Sequence, residues 1–128
     1  PPPLAVSNQT HAEAEALAAQ FAPLGAIEAI APEVLRGHRF DLVINSTSVG
    51  VASDTHDWPT SVFAPGAFAY DLVYADQPTQ FVRWAAQHGA ARTADGLGML
   101  IEQAAESFFL WRGVRPHTVP VFALLRPR

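Results

Sequence analysis

Apolar and polar positions alternate in blocks along this chain. Leu4-Ala5-Val6 is a short apolar run that stops at Ser7-Asn8. Thr10 follows in N-cap position, with Glu13 at capping-box spacing, and the Ala-rich stretch from Ala12 to Phe21 predicts a helix closed by Pro23 to Gly25. Ala26 to Ile30 reads as a second strand, and Pro32 to Leu35 as a helical turn with proline at its start. Asp41-Leu42-Val43-Ile44-Asn45 is a continuous apolar run of the kind found in buried strands, followed by the small polar loop Ser46 to Gly50. Val51 to Gly66, broken by Pro59 and Pro65, is expected to be loop, and Phe68 to Tyr74 a strand. Pro78 to His88 is amphipathic, with Phe81, Trp84 and Ala85 on one side and Gly89 closing it. A weak strand near Ala91 to Thr93 precedes a long helix from about Gly96 to Trp111. A short helix from Thr118 to Leu125, with Pro120 in its first turn, ends the series.

Strand and helix patterns alternate throughout, which argues for an α/β fold with a doubly wound, mostly parallel sheet. In an open parallel sheet, ligands bind at the carboxyl ends of the strands. Those ends are here Ser7-Asn8-Gln9-Thr10, Asn45-Ser46-Thr47-Ser48 and Leu72-Val73-Tyr74. Any one of them reads as an ordinary turn. Three small, polar or hydroxyl-bearing ends on one edge read as a ligand crevice.

Composition narrows the chemistry. The chain is 49% hydrophobic and 16% charged, against roughly a quarter charged in free-standing domains, so part of its surface is expected to be covered. Net charge is −4 and the basic residues are scattered, which argues against nucleic acid as a partner. All eight basic residues are arginine and no cysteine occurs, excluding amine and thiol chemistry from these residues. No apolar run is long enough to span a bilayer and no signal-like segment opens the chain, so no membrane partner and a cytoplasmic location are expected. His11, His38, His56, His88 and His117 do not cluster at metal-ligand spacing, and no metal is assigned. Trp58, Trp84 and Trp111 read as packing residues.

Four ordered stretches resemble shikimate dehydrogenases. They are Asn8-Gln9-Thr10, the run from Asp41 to Gly50, Tyr70-Asp71-Leu72-Val73-Tyr74, and Asp95-Gly96-Leu97-Gly98-Met99-Leu100-Ile101-Glu102-Gln103-Ala104-Ala105. The ending Phe109 to Pro116 is also similar to the family's, and the resemblance runs from about Leu4 to Leu125. It implies that residues 1–128 are the C-terminal nucleotide-binding (Rossmann) domain of such an enzyme, truncated at its N-terminus and lacking its first strand and phosphate loop. The family reduces 3-dehydroshikimate to shikimate with NADPH in aromatic amino-acid biosynthesis, on the chorismate pathway. Its catalytic Lys–Asp pair lies in an N-terminal domain that this chain, opening on Pro1-Pro2-Pro3, is expected to lack. The missing domain is then a partner in cis, and the complete enzyme a monomer or homodimer.

The resemblance also implies site residues. Asn8, Gln9 and Thr10 occupy the place of an Asn-Arg-Thr motif whose arginine holds the 2′-phosphate of NADP. Gln9 adds no charge there, so NAD is the alternative cofactor, as in the quinate/shikimate dehydrogenase branch. Thr47, Leu72, Gly96 and Met99 match cofactor-binding positions, and Tyr74 and Gln103 match substrate-binding ones. On a helix, Gly96, Met99 and Gln103 share one face; glycine permits close backbone approach, and methionine offers an adaptable wall to a flat ring. With no lysine the chain alone is expected to be inactive, and a non-catalytic nucleotide-binding module is the alternative from outside enzymology. The isolated chain should be marginally stable, because a missing central strand leaves unpaired strand edges. A low melting midpoint with aggregation is the expected outcome of a thermal scan, and a cooperative, aggregation-free melt at high temperature refutes it.

Overall fold

A computed structural model describes residues 4–47 and 58–126. Ser48, Val49, Gly50 and His56 lie outside the described residues. The chain divides into two units, Pro1–Phe40 with Asp57–Val62, and Asp41–His56 with Phe63–Arg128.

In the first unit, β1 (Leu4–Val6) and β2 (Ile27–Ala29) are joined by helix α1 (His11–Phe21). The two strands pair in parallel, Leu4 opposite Ile27 and Val6 opposite Ala29. Parallel strands need such a crossover, and α1 buries Ala14 and Ala18, one turn apart. The expected capping box is not formed. Thr10 has N-cap backbone geometry but its side chain makes no cap hydrogen bond. Asn8 does the work instead: its Oδ1 accepts from the Thr10 N–H at 3.1 Å and its Nδ2 donates to Glu13 Oε2 at 2.8 Å. A carboxylate engaged by Asn8 has no need to reach back to the cap. The turn predicted from Pro32 continues as a short 3₁₀ segment, Leu35–Gly37.

The second unit holds β3 (Phe40–Asn45), β4 (Phe63–Asp71) and β5 (Arg92–Ala94), in the spatial order β3-β4-β5. β4 and β5 are parallel, Phe68 opposite Arg92 and Tyr70 opposite Ala94. Among the described residues the fold is α/β with parallel strands in two sheets.

Two strand expectations need correction. β4 starts at Phe63, not Phe68, and ends at Asp71, short of Tyr74. Pro65-Gly66 reads as a break, yet the ladder with β5 begins only at Phe68, so proline's missing N–H removes no rung there. Gly66, at φ 84°, takes a backbone conformation other residues avoid. At the other end, Asp71 Oδ1 accepts from the Val73 N–H at 3.2 Å and turns the chain out of the strand. β3, expected to be buried, leaves Leu42 51% and Ile44 54% exposed. It ends the strand order, and Leu42 and Ile44 share the face that stays open.

Helix α2 (Gln80–Gln87) buries Phe81 and Ala85, and the Trp84 ring packs 5.4 Å from Phe63 and 5.6 Å from Phe81, centroid to centroid. Burying one such phenylalanine stabilises the unit by about 1.5–3 kcal/mol. Helix α3 (Leu97–Arg112) buries Leu97, Ile101 and Ala105, every fourth residue. Gly113, at φ 71°, ends it with its N–H on the Phe109 carbonyl. Helix α4 (Val119–Leu125) follows, its Phe122 ring set against Gly98. Trp111, read from sequence as a packing residue, is 80% exposed, and Leu110, Val119 and Leu124 are exposed with it.

Gly96 and Gly98 differ sharply in what surrounds them. A Cβ at Gly96 would overlap the Leu72 carbonyl, 2.7 Å from its carbon, whereas one at Gly98 would sit 3.5 Å from the Phe122 ring. Gly96→Ala is therefore expected to destabilise by at least about 1–3 kcal/mol. Gly98→Ala should be neutral or gain up to roughly 1 kcal/mol from helix propensity. Side-by-side thermal unfolding of the two variants decides the matter; equal midpoints contradict it.

Candidate functional site

In the second unit, the carboxyl ends of β3 and β4 and the start of α3 come together through hydrogen bonds. Asn45 ends β3 and is buried. Its Oδ1 accepts from the Thr47 N–H at 3.2 Å and from the Thr47 hydroxyl at 2.7 Å, and its backbone carbonyl accepts from the Leu72 N–H at 3.0 Å. Its Nδ2 donates to Asp71 Oδ1 at 3.0 Å. Asp71, 2% exposed, also accepts from the Thr79 hydroxyl at 2.6 Å through Oδ2. Thr79 in turn caps α2 by accepting from the Val82 N–H. Asn45 opens one of the strand ends read from sequence as a ligand crevice, whereas Asp71 and Thr79 did not stand out as site residues.

Gly96 closes the other side of this edge. Its N–H donates to the Val73 carbonyl at 3.0 Å, and the Leu72 carbonyl occupies the space a side chain would need. Thr47, Leu72 and Gly96 thus form one connected edge. Met99 stands one turn further along α3 and is 45% exposed. Tyr74 lies two residues beyond Leu72 and is exposed. Gln103 is exposed, and its Nε2 donates to the Leu100 carbonyl of its own helix at 3.2 Å. Asp95 is buried beneath the start of α3; it accepts from the Leu97 N–H at 3.2 Å and pairs with Arg126, which also donates to the Ala75 carbonyl at 3.1 Å. The end of α4 is in this way tied to the segment after Tyr74.

In the first unit, Asn8, Gln9 and Thr10 form the turn between β1 and α1. Gln9 and Thr10 are exposed, and Asn8 is held by the bonds already described. Ser7 Oγ and His11 Nδ1, either side of this turn, are buried atoms with no hydrogen-bond partner. Buried polar atoms are normally satisfied, and these two are exceptions beside the turn. Among the described residues no group of three or more His, Asp or Glu could hold a metal ion, and no helix is long and apolar enough to cross a membrane.

Beside Gln103, the Glu102 carboxyl is held below its ordinary range, first by a hydrogen bond from Thr118 and then by Arg115, against the opposing pull of desolvation. Arg115 bridges Glu102 at 3.0 Å and also pairs with Glu106.

Comparison with known proteins finds similar chains. The family model of the shikimate 5′-dehydrogenase C-terminal domain matches residues 96–120. The shikimate dehydrogenase (NADP(+)) of Alkalilimnicola ehrlichii is 55% identical over 127 residues, 99% of this chain and 47% of its own length. An Ael1 enzyme from Pseudomonas putida superposes with a TM-score of 0.86 at 41% identity, over 100% of this chain and 47% of that one. Shikimate 5-dehydrogenase from Thermus thermophilus, solved with NADP(H) and shikimate, gives 0.73 at 33% identity over 90% of this chain and 42% of that one. The chain spans about half the length of the curated relatives it matches.

The lowered Glu102 carboxyl carries a pH dependence. A depressed folded-state value stabilises above the ordinary value, 4.5 here, and the contribution is lost as pH falls through the folded value. Melting temperature should therefore fall more steeply below pH 4.5 for the parent than for Glu102→Gln. Parallel curves contradict this.

Proposed function

We propose that this chain is the nucleotide-binding C-terminal part of a shikimate dehydrogenase, an oxidoreductase that reduces 3-dehydroshikimate to shikimate with NADPH in the cytoplasm. The observation that carries the reading is the 55% identity to a shikimate dehydrogenase (NADP(+)) across 99% of the chain. The polar strand ends within each unit support it. Asn8, Gln9 and Thr10, beside the unpartnered Ser7 Oγ and His11 Nδ1, fit the ribose and phosphate of a nucleotide. Thr47, Leu72, Gly96 and the exposed Met99 fit a flat ring and its ribose, and Tyr74 and Gln103 offer hydrogen bonds to a small hydroxylated acid.

When bound, the dinucleotide supplies the hydride. The residues of this chain bind and orient. Thr47 is fixed by Asn45, and Gly96 lets α3 start directly against the Leu72 carbonyl. The alkoxide formed on a reduced ketone needs a proton from a positioned acid, and with no lysine in the sequence we assign that acid to the half of the relatives this chain does not span. Exposed Leu110, Trp111, Val119 and Leu124 are apolar surface of the kind that another part of the protein covers. The complete enzyme acts as a monomer or homodimer.

Gln9 favours a second reading, with NAD as cofactor in a quinate/shikimate dehydrogenase, because a neutral amide gives the 2′-phosphate no counter-charge. The test is cosubstrate preference in the complete enzyme with 3-dehydroshikimate, followed by nicotinamide absorbance. NADPH preferred over NADH is the expected result, with Gln9→Arg widening the preference by about tenfold or more, the worth of a charge-assisted hydrogen bond. A preference for NADH hands the chain to the NAD reading. No turnover with either leaves a non-catalytic nucleotide-binding module.

A further inference from the structure

We infer that Asp71 is a positioning residue that sets, through one oxygen atom, both Thr47 and the Leu72–Tyr74 segment. The inference rests on the functional reading above for what those two segments hold. Its structural basis is independent of that reading.

Asp71 is the largest fully buried side chain among the described residues. Its Oδ1 accepts from two directions, the Asn45 Nδ2 at 3.0 Å and the Val73 N–H at 3.2 Å. The first bond decides how the Asn45 amide lies. An acceptor opposite Asn45 draws the NH₂ end towards it, so the Asn45 oxygen must face Thr47, where it receives both the backbone N–H and the hydroxyl. Turned over, Asn45 would set its NH₂ against the Thr47 N–H, donor against donor. Asp71 thus reaches Thr47, 24 residues away in sequence, without touching it. The second bond holds Val73, between Leu72 and Tyr74, at the point where the chain leaves β4. Oδ2 is engaged by the Thr79 hydroxyl, which fastens the carboxyl to the first turn of α2 and keeps Oδ1 from swinging away. One side chain therefore links two segments that carry candidate cofactor and substrate contacts.

The variants separate positioning from mere burial. Asp71→Asn can keep an oxygen at the Oδ1 position and turn its NH₂ to the Thr79 hydroxyl oxygen, so it should behave nearly like the parent. Asp71→Ala loses both arms. Asn45→Leu, similar in volume, cuts the arm to Thr47 and leaves the Val73 bond in place. In the complete enzyme, Asp71→Ala should raise KM for both cofactor and 3-dehydroshikimate about tenfold, roughly the worth of a lost buried hydrogen bond. Asn45→Leu should raise the cofactor KM alone, and Asp71→Asn should restore both to within about threefold. Exchange of the Thr47 amide hydrogen with solvent should quicken at least about tenfold in Asp71→Ala and Asn45→Leu but not in Asp71→Asn.

Unchanged KM values and unchanged Thr47 exchange in a folded Asp71→Ala enzyme overturn the inference, as does an Asn45→Leu enzyme in which both KM values rise together. If Asp71→Ala does not fold, Asn45→Leu and Asp71→Asn decide it. A parent enzyme that does not reduce 3-dehydroshikimate sinks the functional reading instead, and the Thr47 exchange rates still settle whether Asp71 governs Thr47.

Discussion

A carboxyl group withdrawn from water has to be met by donors, and the second unit is arranged around meeting one. Burying a polar group unmatched costs several kcal/mol in an apolar setting, so the end of β4 tolerates few arrangements once Asp71 is placed there. Asn45, Val73 and Thr79 all donate to it. Each donor belongs to a different part of the unit: the end of β3, the exit from β4 and the cap of α2. The position of Thr47 after β3, the direction the chain takes after β4 and the start of α2 are thereby coupled. Gly96 completes the arrangement from the other side, since only a residue without Cβ lets α3 begin against the Leu72 carbonyl.

Much of this was legible in the sequence, and the reason differs by element. The helices were readable because their signals are local: buried Phe81 and Ala85 sit one turn apart, Leu97, Ile101 and Ala105 recur every fourth residue, and Gly113 stops α3. Strand positions were readable as apolar runs, but their limits were set by partners elsewhere in the chain. β4 extends through Pro65 on the side of β3, its other neighbour, while its ladder with β5 starts only at Phe68. Leu42 and Ile44 look like core in any window, and whether they are covered depends on what packs on β3, which no window contains. At the start of α1, Asn8 accepts the Thr10 N–H that a capping-box Glu13 would take, and a spacing rule could not choose between Asn8 and Glu13.

Site residues divide the same way. Gly96 and Met99 stood out through the motif that contains them, and residues 96–120 are also the stretch matched by the family model. Asp71 did not, and Asn45 did only as the start of a polar strand end, because their importance lies in a bond spanning 26 positions. The available hint was a polar residue closing each of two apolar strands, the usual position for a group that serves the loop beyond. Ser7 showed only as the first residue of a polar strand end, and His11 gave no hint. Their significance is an unfilled bond at each, a property of packing that appears only in three dimensions.

The three tryptophans are not equivalent in their surroundings. Trp84 lies among Phe63, Phe81 and His88, and Trp58 is partly covered, whereas Trp111 stands almost wholly in solvent near the end of α3. Indole emission moves to shorter wavelength as water is removed from around the ring. Trp111 is therefore an intrinsic optical reporter placed among exposed apolar residues, and its spectrum registers the moment another surface settles on them.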